Sequence, residues 1–519
     1  MPEQAAYDVK EYELTLEVNP KDSSIQGFVQ IKAQIVHPIY WFVLDIDTVF
    51  DIESVTELRE GDMVFIREFH QEIGKLWIDL TNTRNPGEMI DITVHYSGKP
   101  RIAKRPPWDG GFTWSQTKDG SPWIATTCQG EGADLWWPNK DHVSDKPDRM
   151  GLHITVPEGL VLASNGKLID TKLNNNGTVT YDWQVSTPIS NYNISLNIAP
   201  YKVIEGEFKS VSGNTFPVYF WVLPESYKDG KKFFTQILDH LRFFEELLGP
   251  YPFQADKYGV VQTPHLGMEH QTIIAYGANF SNSSMTGFDW GFDALHQHEL
   301  AHEWWGNLVT NSDWRDMWLH EGFGTYMQPL YVEYLFDQEA YHKAMSEMRY
   351  FGNTRTIAPR EITSANEIYK APIYAKGAWI LHNLRYVIGD EAFFKALKNM
   401  AYPNLEDNPV MDGRQVRFAT TDDFLHIAEK ASGQELDWFF EVYLRQPRLP
   451  VLYSLVENGN LNLRWKSPEN LPFPMPVEVK IGNSIKRYDI PEKGLTINLK
   501  KGDKPEVDPN RWLLMDISK

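Results

Sequence analysis

The sequence predicts a multidomain α+β protein: an antiparallel β domain over residues 1–205, a mainly helical domain over 206–445 and a small β-sandwich over 446–519. Three observations predict it. Apolar residues alternate with polar ones through the first two hundred residues, recur at helical spacing from about residue 206, and alternate again beyond Pro450. At 519 residues, with 42% hydrophobic content, the chain is long enough for two to four cores.

In the first segment Leu14, Leu16 and Val18 alternate with polar neighbours, as do Val29, Ile31, Ala33 and Ile35. Asn19-Pro20, Asn85-Pro86-Gly87 and Asn174-Asn175-Asn176-Gly177 supply turn residues where such strands would reverse. After a strand at Val218–Val222, Phe233, Phe234, Ile237, Leu238, Leu241 and Phe244 mark one face of a helix that Gly249-Pro250 ends. Helices are then expected to dominate to about residue 445, with one start signal at Thr420-Thr421-Asp422-Asp423. Past Gln446-Pro447, Leu461, Leu463 and Trp465 alternate, then Val477, Val479 and Ile481. The prolines at 468, 472, 474 and 476 suit loops or edge strands.

A formal charge of -20 with no segregated basic patch argues against nucleic acid or an anionic membrane as partner. Cys128 is the one cysteine, so no intrachain disulfide forms. The first residues lack a basic, then apolar, leader pattern, and no run reaches the length of a membrane span. As written the chain is expected to be soluble and cytoplasmic, or periplasmic or secreted if a leader has been removed, and most simply a monomer.

The chemistry is concentrated in His298-Glu299-Leu300-Ala301-His302, followed by Glu321 in Trp318-Leu319-His320-Glu321-Gly322-Phe323. Two histidines four apart on a helix project from one face and can share an ion. Glu321 from a second helix completes a two-His, one-Glu set that leaves zinc an open fourth position, the mark of a catalytic site. Glu299 would lie beside that position, placed to take a proton from a zinc-activated water. One Zn2+ per chain is expected.

The longer run from His298 through Glu303-Trp304-Trp305-Gly306-Asn307 to Thr310 resembles the gluzincin zinc aminopeptidases, the family of aminopeptidase N and leukotriene hydrolase. Cys128-Gln129-Gly130, Gly267-Met268-Glu269-His270 and Tyr374-Ala375-Lys376-Gly377 occur in the same order as in that family. The resemblance implies a thermolysin-like fold for residues 206–445 and removal of N-terminal residues from peptides with a free amino end. It implies that Glu269 and Gln129, with Gly267 and Met268, bind the substrate, and that Tyr374 donates to the oxyanion. About seventy residues follow Pro450, which fits a short form lacking the helical C-terminal domain of larger relatives.

The chain departs from the family pattern at Leu266, His270 and His320, which stand where a glycine and two asparagines are usual. His265, His270, His296 and His320 are expected to hydrogen-bond as supports around the ligands. Three other readings remain: an endopeptidase, which the zinc core alone would also serve; an epoxide hydrolase, against which Asn366 stands roughly where that subgroup carries an aspartate; and a non-catalytic scaffold.

Overall fold

The computed structural model describes residues 1–349, 352–405 and 410–518. The chain divides into two compact units. One comprises residues 1–246 and 250–308 with a short return segment ending at Arg417; the other comprises Leu247–Gly249 and the chain from Val309 onward apart from that segment.

The first unit is built on an eight-stranded sheet in the order Lys167–Leu173, Thr178–Val185, Arg149–Pro157, Tyr7–Asn19, Ser24–Ile35, Met89–Gly98, Phe50–Arg59, Asp62–Ile66. The alternation read from the sequence is the one observed: Leu14, Leu16, Val18, Val29, Ile31, Ala33 and Ile35 all point into the core with Ile90, Ile92 and Val94. The sheet is not wholly antiparallel, as expected from sequence, but mixed. Tyr7–Asn19 pairs antiparallel with Ser24–Ile35 on one side and parallel with Arg149–Pro157 on the other. A parallel neighbour must arrive by a long crossover, and periodicity within a strand carries no information about direction.

On the other face of these central strands His153 lies between Glu13 and Asp182 of the flanking strands, with Nδ1 2.7 Å from the Asp182 carboxylate and Nε2 3.0 Å from that of Glu13. The hydrogen bond to Glu13, helped by Asp182, raises the imidazole pKa to about 9. The unfolded-state value is about 6.5, so the stabilisation is fully present below about pH 6.5 and is lost as pH rises through about 9. His153→Gln is therefore expected to lower the unfolding midpoint of this unit at pH 6 and to leave it unchanged at pH 10; equal losses at both would assign His153 a packing role only.

A five-stranded sheet follows, ordered Lys202–Lys209, Thr215–Val222, Tyr258–Gln262, Ile274–Tyr276, Gly267–Met268. Helix Tyr227–Leu248 crosses over between its second and third strands, which are parallel, and buries Phe233, Ile237, Leu241 and Phe244. Here the expectation of a mainly helical segment needs correction. Between Gly249 and Asp293 the described chain is strands and loops, because Tyr258-Gly259-Val260-Val261-Gln262 is buried on both faces and shows no alternation.

The second unit carries helices Trp318–Leu335, Gln338–Glu347, Ala375–Ile388, Asp390–Ala401, Thr421–Ser432 and Asp437–Leu444. The start signal at Thr420 is a capping box: its hydroxyl accepts from Asp423 N while the Asp423 carboxylate accepts from Thr420 N. Beyond Pro450 lie a four-stranded sheet (Leu495–Asn498, Asn460–Lys466, Val451–Glu457, Asp516–Ser518) and a three-stranded one (Ser484–Tyr488, Val477–Ile481, Pro505–Val507). Asn383 ties the segment leading into strand Asp516–Ser518 to the helices, donating to Trp512 O at 2.8 Å and accepting from Leu514 N at 3.1 Å.

Candidate active site

The helix carrying the two histidines spans Ala294–Ala301 and is buried throughout. Asp293 caps it, accepting from His296 N. Beyond Ala301 the helix gives way: Glu303 N and Trp304 N bond three residues back, and Gly306 turns the chain with φ 143°, a conformation open to glycine. His302 is the C-cap but keeps helical angles (φ -67°, ψ -16°), so the four-residue spacing still places both imidazoles together. Their Nε2 atoms are 3.1 Å apart. His302 Nδ1 lies 2.9 Å from Trp305 O and can donate to it, which leaves the Nε2 lone pair for a ligand.

Glu321 lies in the first turn of helix Trp318–Leu335. The hydroxyls of Tyr374 and Tyr369 donate to its Oε1 at 3.0 and 3.1 Å. Among the described residues, His298, His302 and Glu321 form the one group of three able to hold a metal ion, with a ligand atom from each within 4.8 Å of the others. Two imidazoles and a carboxylate are the donor set that zinc takes, and two nitrogens 3.1 Å apart suit an ion about 2.0–2.1 Å from each.

Two glycine contacts explain why the motifs read as they do. A Cβ on Gly267 would stand 2.5 Å from Glu299 Oε1 and 2.6 Å from Leu295 Cδ1, so the missing side chain is the space that the Glu299 carboxylate occupies. Gly322 and Gly377 face each other where helices Trp318–Leu335 and Ala375–Ile388 cross, and a Cβ on Gly377 would lie 2.7 Å from Gly322 Cα. That close approach brings Tyr374, the N-cap of the second helix, within reach of Glu321.

Glu269 follows the short strand Gly267–Met268 and is buried. Its Oε1 accepts from the Gln129 amide and from Tyr192 OH, the latter at 3.1 Å. With its amide nitrogen on Glu269, Gln129 keeps its carbonyl oxygen as an acceptor. Asn307, just past the histidine helix, donates to Glu269 O at 3.1 Å and accepts from Asn193 Nδ2 at 2.8 Å. The turn Asn191–Asn193 therefore holds both the Glu269 side chain and its backbone. Cys128 is buried and its thiol pKa is pushed up by burial, which makes it a packing residue.

Behind the helix Glu303 accepts from Thr272 N at 2.7 Å, and burial raises its pKa to about 8. Lys146 and Lys257, both buried, are lowered by desolvation to about 7; they donate to Asn307 O and Thr272 O at 2.8 Å each. These groups brace the loop of Glu269 against the end of the histidine helix.

The four supporting histidines divide. His296 bridges His240 and Tyr258 at 2.8 Å each, and His320 Nε2 accepts from Asn311 N at 3.0 Å. His265 and His270 do not act as expected: both are buried, their ring nitrogens have no hydrogen-bond partner among the described residues, and burial lowers both pKa values to about 3. Tyr192, Tyr369 and Asn307 were not singled out by sequence. Tyr369 carries a faint signal, five residues before Tyr374 in the same segment, whereas Tyr192 carries none because its partner is 77 residues away.

Residues 8–193 match the Peptidase M1 N-terminal domain and residues 236–443 match the Peptidase family M1 domain. Aminopeptidase N of Haemonchus contortus is 26% identical over 539 residues, covering 96% of this chain and 52% of that protein. Aminopeptidase M1 of Arabidopsis thaliana is 26% identical over 360 residues, 64% of this chain and 39% of its own length. The chain spans about half or less of these curated relatives. An M1 zinc metallopeptidase of Deinococcus radiodurans, solved with a Tyr-Ser-Ala substrate, has the same fold, with a TM-score of 0.68 and 24% identity over 86% of this chain and 95% of that one. The two matched domains follow one another in order and account for most of the sequence: the chain belongs to the peptidase M1 family.

Proposed function

We propose that this chain is a zinc-dependent aminopeptidase that hydrolyses the first peptide bond of substrates with a free N-terminus. The observation that carries the reading is the buried Glu269 carboxylate held by Gln129 and Tyr192, in a chain whose His298, His302 and Glu321 can hold a metal. The aminopeptidase names of the relatives support it. Zinc bound by these ligands supplies Lewis acidity at the scissile carbonyl and lowers the pKa of water from about 15.7 towards roughly 7.

The remaining steps belong to the protein. Glu269 and the Gln129 carbonyl oxygen accept from the substrate ammonium, with Gly267 and Met268 lining the approach; a charge-assisted hydrogen bond of this kind contributes about 1.5–3 kcal/mol. The ammonium fixes the register, so one peptide bond reaches the reactive position. Glu299 takes a proton from the attacking water as the carbonyl carbon becomes tetrahedral. Tyr374 turns its hydroxyl from Glu321 to the developing oxyanion, a contact worth ~2.7–4 kcal/mol of barrier. Glu299 then delivers its proton to the leaving nitrogen as the C–N bond breaks, giving an amino acid and a shortened peptide.

The division into residues 1–205, 206–445 and 446–519 is proposed as the functional organisation, supported by family matches that end at 193 and 443. A monomer acting on peptides, without nucleic acid or membrane, is proposed from the charge of -20; no helix among the described residues is long and apolar enough to cross a membrane.

Metal analysis combined with a fluorogenic aminoacyl substrate tests the reading: about one zinc per chain and chelator-sensitive turnover are expected. Peptides with a free N-terminus should be cleaved at least about thirtyfold faster than their N-acetylated forms, as loss of the paired charge implies. Equal rates on both forms would make the enzyme an endopeptidase, and absence of both metal and turnover would make it a scaffold.

A further inference from the structure

We infer that Tyr369 is a positioning residue, which keeps Glu321 presenting one oxygen to the metal while Tyr374 leaves it to serve the substrate. The inference rests on the proposed zinc site and deepens it.

Two phenols share Glu321 Oε1, Tyr374 at 3.0 Å and Tyr369 at 3.1 Å, and their rings are 6.5 Å apart and tilted by 44°, so they approach that oxygen along different directions. A carboxylate oxygen offers two lone pairs. Two donors on Oε1 would leave the ligand role to Oε2 when a metal binds. The distinction matters because three protein ligands leave zinc one open position; if Glu321 rotated to bind through both oxygens, it would fill the place that the reaction needs.

Tyr374 cannot hold the carboxylate through the whole cycle, since its hydroxyl is the proposed oxyanion donor. When it turns away, Oε1 keeps the bond from Tyr369. The backbone equips Tyr369 for a fixed role. It is the C-cap of helix Ala365–Ile368, with helical angles (φ -67°, ψ -10°) and its N–H bonded to Ala365 O, and Ala371 N bonds back to Ile368 O. Tyr374 by contrast is an N-cap with φ -70° and ψ -85°, outside the helical region. Tyr369 is also only half-buried, so core packing does not account for an aromatic residue there.

The test is zinc retention in Tyr369→Phe and Tyr374→Phe, followed by competition with a chromogenic chelator, beside kcat, KM and the thermal midpoint of each metal-free protein. Tyr369→Phe should weaken zinc binding by about 10–100-fold, the usual consequence of removing a partner from a ligand. Its kcat should fall while KM stays within about twofold and the metal-free midpoint is unchanged. Tyr374→Phe should lose more turnover yet hold zinc within about threefold of the wild type, because Tyr369 still occupies Oε1. Zinc held equally well by Tyr369→Phe and the wild type would overturn this inference alone. A wild type that binds no zinc would overturn it together with the proposed function.

Discussion

Glu299→Gln is expected to retain zinc and lose turnover by about 10²–10⁴-fold, the contribution typical of a positioned general base. The substitution separates the two roles proposed for neighbouring residues of one helix. Glu299 sits between His298 and His302 on Ala294–Ala301, with its carboxylate over the Cα of Gly267. Glutamine has the same length and shape, so the close approach to Gly267 persists and the histidines keep their spacing. What disappears is basicity, since an amide oxygen does not take a proton from water near neutral pH. Zinc content and initial rates on a fluorogenic aminoacyl substrate report the two properties independently. Unchanged turnover would remove Glu299 as the base; lost zinc would mean that its charge, not its basicity, organises the site.

How much of this was legible in the sequence depended on the range of the interaction. His298 and His302 could be placed because one helical turn relates them, and the Thr420 cap because its partner is three residues away. Glu321 was legible from the zinc ligand rule, since two histidines and a base demand a third ligand. Alternation likewise identified the inward face of Tyr7–Asn19 and Ser24–Ile35. Direction was not legible: nothing within Arg149–Pro157 marks it as the parallel neighbour of a strand that begins at residue 7. The segment from Gly249 to Asp293 failed for a different reason, because Tyr258–Gln262 is buried on both faces and has no period to read.

The site shows the same division. Glu269, Gln129 and Tyr374 are proposed through family resemblance, and none stands out by local pattern. Tyr192 and Asn193 reach their partners across the fold, from a turn whose polar residues look solvent-facing in sequence and are buried in the structure. His270 and His320 illustrate that residue type does not fix role: one imidazole binds a backbone amide, while the other is buried without a partner among the described residues.

Gly377→Ala is expected to cut kcat by about a hundredfold while lowering stability by no more than about 2 kcal/mol. The added Cβ would lie 2.7 Å from Gly322 Cα, closer than carbon atoms approach without displacement, and 3.8 Å from Trp318 Cε3. The first contact is backbone, so no side-chain rotation relieves it and the two helices must separate. Overpacking of this kind costs about 1–3 kcal/mol, while alanine gains roughly 0.8–1.0 kcal/mol over glycine inside a helix. The second term offsets part of the first and leaves a net cost of up to about 2 kcal/mol. Geometry has no such compensation, because Gly322 directly follows Glu321 and Tyr374 caps the helix three residues before Gly377. Parting the helices lengthens the 3.0 Å bond between Tyr374 and Glu321 and carries the hydroxyl away from its working position; a displacement near 1 Å is enough for a loss of about a hundredfold. Steady-state kinetics and thermal unfolding of the same variant check the two halves of the expectation. A stable variant with wild-type kcat would show that the crossing sets packing without setting Tyr374, and a severely destabilised one would show that the helices cannot part at all.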